Sequence, residues 1–296
     1  IQHAGFEELL GIARVAMGAV PLEQVKILAP LTRPRNDIIC LGINYLAHAE
    51  ESARFKKEAF SKPDQAVYFS KRVNRATEPG DGIPSHKELT SQLDYEAELA
   101  VILKKDAKDV ALEDVEDYIF GYTIMNDVSA REVQTAHRQW YFGKSLDTFA
   151  PMGPCIVTAD EFDFPPALHL TCRVNGELRQ DSNTKLLVHG IPYIISELSK
   201  GMTLRAGTII ATGTPAGTGI GMNPPQFLKS GDVVLAGQTW EKILRNMLYK
   251  PLGADLKSVI STSTDVEYGT QKGYITYTAT RNGQGAMKEA YYDDKK

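Results

Sequence analysis

Polar and apolar residues alternate along the stretch LDYEAELAVIL, and the alternation predicts a strand over Tyr95–Leu103. Successive side chains of a strand point to opposite faces, so Glu96, Glu98, Ala100 and Ile102 share one face. Short apolar runs predict further strands at Asp37–Leu41, Val67–Ser70, Tyr118–Met125 and Thr208–Thr212. Leu168–Val174 and Glu177–Gln180 flank Asn175-Gly176, the pair that a type I′ hairpin turn prefers. Helical spacing is present at Phe6, Leu9, Leu10 and Ala13, from Ala47 to Phe60, over Leu112–Asp117, and over Ile191–Leu198 with Gly201 as the stop. Glu78–Pro84, with two prolines and two glycines, reads as a loop. Many short strands and few helices predict a β-rich α+β fold rather than a doubly wound sheet. Three parts follow: a small N-terminal segment over 1–36, a main domain over 37–250, and an unassigned extension over 251–296. Within that extension Tyr274–Thr278 alternates as a strand would.

Composition narrows the classes of partner. A chain of 296 residues, 43% hydrophobic and 24% charged, is that of a folded domain. Its net charge of −4 argues against nucleic acid or an anionic membrane as partner. No apolar run approaches the roughly 20 residues that span a bilayer. Cys40, Cys155 and Cys172 have neither metal spacing nor a disulfide pattern, so they read as buried thiols in a reducing compartment, and the cytoplasm is the expected location. Ile1 stands where a methionine would begin a chain, which leaves room for a removed leader.

The candidate chemistry starts with the acids. Two carboxylates on one face beside buried apolar residues repel each other unless a cation neutralises them. Asp127, in GYTIMNDVSARE, follows another strand and adds a third. Oxygen-only ligands favour a hard divalent ion, Mg²⁺ or Mn²⁺. Each acid also has a plain structural role open to it, a solvated strand face or a helix N-cap. In NYLAHAEE, His48 and Glu51 are three apart and share a helical face, so Glu51 can orient the imidazole as a general base. Lys144, among aromatics and glycine in WYFGKSLD, can steady an oxyanion. Gly143-Lys144-Ser145 is no phosphate loop, because Arg138 occupies the position that loop reserves for glycine. Thr212–Gly221 could wrap an anion with backbone N–H groups, or simply connect two strands.

Six stretches, CLGINYLAHAEE, SQLDYEAELAVIL, FGYTIMNDVSARE, GKSLDTFAPMGP, VNGELRQDSNT and IIATGTPAGTG, occur in the order found in the fumarylacetoacetate hydrolase (fumarylacetoacetase-like) family. The chain resembles that family over about residues 37–235. The resemblance implies a mixed-sheet roll or sandwich with peripheral helices, commonly a homodimer, with Mg²⁺ or Mn²⁺ in the site. By position it implies Glu96, Glu98 and Asp127 as metal ligands. His48, Glu51 and Lys144 would be catalytic, and Tyr45, Arg131, Gln134 and Thr214 would face the substrate. Ile43 departs from some acylpyruvase-type members, which carry a basic residue there. The leading expectation is cleavage of a carbon–carbon bond in a 2-oxo acid through a metal-stabilised enolate, as an acylpyruvate or fumarylpyruvate hydrolase. Oxaloacetate decarboxylation or 2-oxo-acid tautomerisation on the same site is the alternative. A non-catalytic 2-oxo-acid-binding regulator is a further one.

Overall fold

The structure is a computed structural model that describes residues 26, 28–59, 64–238, 279–280 and 286–287. The predicted helix around Phe6–Ala13 and the alternating stretch Tyr274–Thr278 lie outside the described residues. Contacts divide the chain into two units. The larger is built on Ile27–Thr239, and the smaller contributes the antiparallel pair Ala279–Thr280 and Ala286–Met287.

The larger unit is organised by a six-stranded sheet. Its strands are β1 (Ile38–Gly42), β2 (Val67–Lys71), β4 (Ala97–Leu103), β5 (Ile119–Asn126), β7 (Met152–Thr158) and β10 (Ile209–Ala211), in the order β2-β1-β10-β4-β5-β7. The β1–β10 pair is parallel and the others are antiparallel. β1, β2, β4, β5 and β10 match the sequence reading to within two residues. β7 was not expected, since Pro154 interrupts it, and proline is tolerated on an edge strand such as this one. A second sheet, β11 (Val234–Gln238), β8 (His169–Val174) and β9 (Glu177–Asn183), contains the predicted hairpin. Asn175 (φ 53°) and Gly176 (φ 82°) take the left-handed conformations that its turn requires. A short pair, β3 (Leu93–Asp94) and β6 (Ser129–Ala130), completes the strands among the described residues of this unit.

The helices are peripheral. α1 (Leu46–Lys56) follows β1, and Lys57 ends it with φ 57°. α2 (Arg131–Ala136) and α3 (Tyr141–Lys144) follow β6. α4 (Ile191–Gly201) starts with proline in its first turn, buries Ile191, Ile194, Ile195 and Leu198 as one stripe, and stops at the expected glycine.

One face of the main sheet buries Ile38, Cys40, Ala100, Ile102, Met125 and Ala211 in a single apolar cluster. β1, β10 and β5 run in one direction and β4 in the other. The C-terminal ends of three strands and the N-terminal end of the fourth therefore meet at one end of the sheet. That end carries the chemistry.

Candidate active site and metal centre

Glu96 immediately precedes β4 and Asp127 immediately follows β5. The two strand ends are tied together: Asp127 N–H donates to the Glu96 carbonyl (2.8 Å), and Glu96 N–H donates to Asn126 Oδ1 (2.9 Å). Glu98 continues the face of Ala100 and Ile102, as the alternation predicts. Carboxylate oxygens of Glu96, Glu98 and Asp127 lie within 4.8 Å of one another, and all three side chains are buried.

Three buried cations meet these acids. Arg131 Nε donates to Asp94 (2.8 Å), and its two Nη groups lie at ion-pair distance, one from Asp94 (2.8 Å) and the other from Glu96 (2.7 Å). Lys144 Nζ bridges Glu96 Oε2 (2.6 Å) and Asp127 Oδ2 (2.8 Å). Lys71 Nζ lies 2.8 Å from Asp127 Oδ1. The order Asp94, Arg131, Glu96, Lys144, Asp127, Lys71 is thus a chain of alternating charge. Glu98 stands outside it: its Oε2 accepts the Gly213 N–H (2.8 Å), and no lysine or arginine reaches it among the described residues.

Electrostatics follow from that order. Burial pushes Glu96 up, but Lys144 and Arg131 outweigh it and hold the carboxyl well below its ordinary range. Burial, Asp127 and Glu96 all push Glu98 far above its ordinary value. Burial lowers Lys144, and Asp127 and Glu96 more than restore it. Four buried carboxylates thus face three buried cations, and the uncompensated one is Glu98. An all-oxygen set with one surplus negative charge suits a hard divalent cation, so Glu96, Glu98 and Asp127 fit a metal of that kind.

The glycine-rich turn does wrap anions, but they are the protein's own. Gly213 N–H donates to Glu98, and Gly217 N–H to both oxygens of Glu51 (3.0 Å each). Gly219 N–H and Ile220 N–H donate to Asp94 (2.7 and 3.1 Å). Gly217 has φ 102°, and a Cβ there would lie 1.8 Å from the Arg179 carbonyl oxygen, so both conformation and space demand glycine.

A cavity of about 490 Å³ opens beside the cluster. Glu96, Arg131, Gln134, Lys144, Thr214 and His48 reach its wall. Phe55, Phe69 and Trp140 give it an aromatic side. Trp140 packs directly on Gly42, where a Cβ would come within 2.1 Å of the indole, and meets Phe69 edge-on at 5.4 Å.

Most of the expected site residues converge, with three adjustments. Glu51 does not hold His48 by a hydrogen bond: Nδ1 and Oε2 are 3.7 Å apart, and the glycine turn engages the carboxylate instead. Tyr45 is buried rather than on the cavity wall; burial and then Glu98 push its phenol upward, and its hydroxyl finds no partner among the described residues. Thr214 lines the cavity, but its hydroxyl also donates to the Ala97 carbonyl (3.0 Å) and accepts from Gln180 (2.8 Å). Lys71, Asp94 and Gln180 escaped the sequence reading. Only the acid two places before Glu96 carried any local signal, since LDYE puts Asp94 on the same alternating face.

The fold and this centre define an enzyme of one family: the chain belongs to the fumarylacetoacetate (FAA) hydrolase C-terminal family, which matches residues 37–246. Among curated proteins it is 48% identical, over 213 residues, to oxaloacetate tautomerase YisK of Bacillus subtilis (strain 168), covering 72% of this chain and 69% of that one. Among solved structures it is similar to fumarylacetoacetate hydrolase (EaFAH) from psychrophilic Exiguobacterium antarcticum (TM-score 0.64, 45% identity, 71% and 73% of the two chains). It is also similar to 5-carboxymethyl-2-hydroxymuconate delta-isomerase from Mycobacterium smegmatis (TM-score 0.61, 36% identity, 75% and 81%). Among the described residues no helix is long and apolar enough to cross a membrane.

Proposed function

We propose that the chain is a 2-oxo-acid tautomerase dependent on Mg²⁺ or Mn²⁺, which interconverts the enol and keto forms of oxaloacetate or a close analogue. The observation that carries this is the juxtaposition of the Glu96–Glu98–Asp127 cluster with Lys144, Arg131 and His48 on one cavity. The likeness to a named tautomerase and a named isomerase supports proton transfer over the hydrolysis that led the expectations.

Glu96, Glu98 and Asp127 would hold the ion. When bound, it supplies Lewis acidity that favours the enolate over the keto form. Arg131 and Gln134, joined by a 3.0 Å hydrogen bond, present donors to the substrate carboxylate. The Lys144 ammonium stabilises negative charge on the enol oxygen as its proton leaves. His48 delivers a proton to C3 in the keto direction and removes it in reverse. The enol proton leaves to solvent and His48, having given its proton to C3, is reprotonated from solvent, so one proton leaves oxygen, one arrives at carbon and charge balances. Hydrolysis asks for more, a water activated by a well-oriented histidine. With 3.7 Å between His48 and Glu51, that orientation is not made in this state.

Metal-loaded protein should accelerate the loss of enol oxaloacetate absorbance, and a chelator should abolish the effect. Acetylpyruvate should yield no acetate. Release of acetate and pyruvate without any acceleration of ketonisation would return the reading to hydrolysis.

A further inference from the structure

We propose that Arg138 and Lys56 form a recognition site for a second carboxylate, so that this cavity selects 2-oxo dicarboxylates over 2-oxo monocarboxylates. The inference rests on the 2-oxo-acid reading above and adds the part of the molecule that reads the far end of the substrate.

The charges around the cavity divide into two groups. At its inner end Glu96 is matched by Arg131 and Lys144, so those cations already have partners within the chain. On the remaining wall stand Lys56 and Arg138, both exposed, and neither makes an ion pair with an acid of this chain among the described residues. Glu58 is the one acid on that wall, also exposed. A monocarboxylic 2-oxo acid spends its only carboxylate at the inner end and leaves this basic wall unmet. A dicarboxylate satisfies both ends.

Of the two cations, Lys56 has a contact within the chain. Lys56 is the last residue of α1, and Nζ lies over the Trp140 ring, 5.8 Å from its centroid. Arg138 lies two residues before Trp140 in the chain. Trp140 itself is pinned against Gly42 and Phe69. Trp140 therefore holds the Lys56 end of α1, and Lys56, Trp140 and Arg138 line the same cavity. Arginine presents a planar pair of donors to a carboxylate, so Arg138 is the principal reader and Lys56 the lesser one. Ile43, also on the wall, supplies no charge.

The test is equilibrium binding to Mn²⁺-loaded protein of two ligands that do not turn over as the substrate would. Difluoro-oxaloacetate keeps both carboxylates but has no C3 hydrogen, and 2-oxobutanoate has a methyl group where the second carboxylate would be. Wild-type protein should prefer the first by at least about tenfold. Arg138→Gln should remove about tenfold of that affinity and Lys56→Gln a few-fold, with 2-oxobutanoate moving less than about twofold. Both substituted side chains are exposed, so the fold is spared. Equal affinity of wild type for the two ligands, or equal weakening of both by Arg138→Gln, would overturn the proposal. If wild type bound neither, the 2-oxo-acid reading itself would fall and take this one with it.

Discussion

Lys71 and Lys144 grip opposite oxygens of Asp127, with Nζ at 2.8 Å from Oδ1 and 2.8 Å from Oδ2 respectively. Lys71 also donates to the main-chain carbonyls of Val128 (3.1 Å) and of Lys144 itself. One buried lysine therefore fixes both the orientation of a carboxylate of the Glu96–Glu98–Asp127 cluster and the backbone of Lys144, the residue proposed above to steady the enol oxygen.

Replacing Lys71 with methionine should be costly. Burial lowers the lysine's pKa, and Asp127 opposes that, so the pair is a desolvated one held by geometry. Removing one member of such a pair leaves the other charge buried, typically a loss of about 3–5 kcal/mol. Urea melts of Lys71→Met in the absence of metal should show a loss on that scale. A change under about 1 kcal/mol would mean that Asp127 draws its compensation from Lys144 alone.

Gly221→Ala tests the link between the glycine turn and Glu51. The added Cβ would lie 2.3 Å from Glu51 Cδ, the far end of a flexible side chain, so the carboxylate gives way and the backbone stays. The expected result is a stability loss of about 1 kcal/mol with a fall in kcat/KM similar to that of Glu51→Ala. Because both changes break one contact, the double variant should be no worse than either single one. Additive losses would show that Glu51 acts independently of the turn.

What the sequence made readable follows from range. The alternation around Glu96 and Glu98 and the Asn175-Gly176 turn are local signals, and both were visible. Lys71 ends a short strand and looks like an ordinary basic terminus. Its partner Asp127 is 56 positions away and becomes a neighbour only when β2 and β5 take their places in one sheet. Gln180 lies in the second sheet, yet it binds Ala97 N–H (3.0 Å) at the start of β4, a contact between sheets that no periodicity encodes. The turn at Thr212–Gly221 was readable as an anion cradle, whereas the identity of its anions, Glu98, Glu51 and Asp94, required the fold. His48 and Glu51 show the limit of spacing: residues three apart share a face, but a longer-range donor took the carboxylate.

Glu197 on α4 gives a pH-dependent contribution to stability. Burial raises its carboxyl, but hydrogen bonds from Tyr193 (2.6 Å) and Tyr68 outweigh that and hold it below the usual range. A depressed carboxylate stabilises the fold above its unfolded pKa, about 4.3, and the contribution disappears as pH falls through the folded value. The stability difference between wild type and Glu197→Gln should be flat from about pH 6 to 7 and shrink below about pH 4. A difference that grew on acidification would contradict the direction of the shift.

Glu98→Gln separates metal binding from folding. In the metal-free protein, burial and the charges of Asp127 and Glu96 all act against an ionised Glu98. A glutamine keeps an oxygen for the Gly213 N–H and relieves that repulsion, so the metal-free variant should melt at or above the wild-type temperature. The gain from a divalent ion should vanish with the carboxylate. For wild type at a metal concentration of about a hundred times Kd, binding contributes about 2.7 kcal/mol, a clear upward shift in Tm. Melting both proteins with Mn²⁺ and with chelator gives the four values needed. A full Mn²⁺ shift in Glu98→Gln would remove the three-carboxylate cluster as the metal site. A large destabilisation without metal would show that Glu98, not the alternating chain beside it, holds this end of the sheet together.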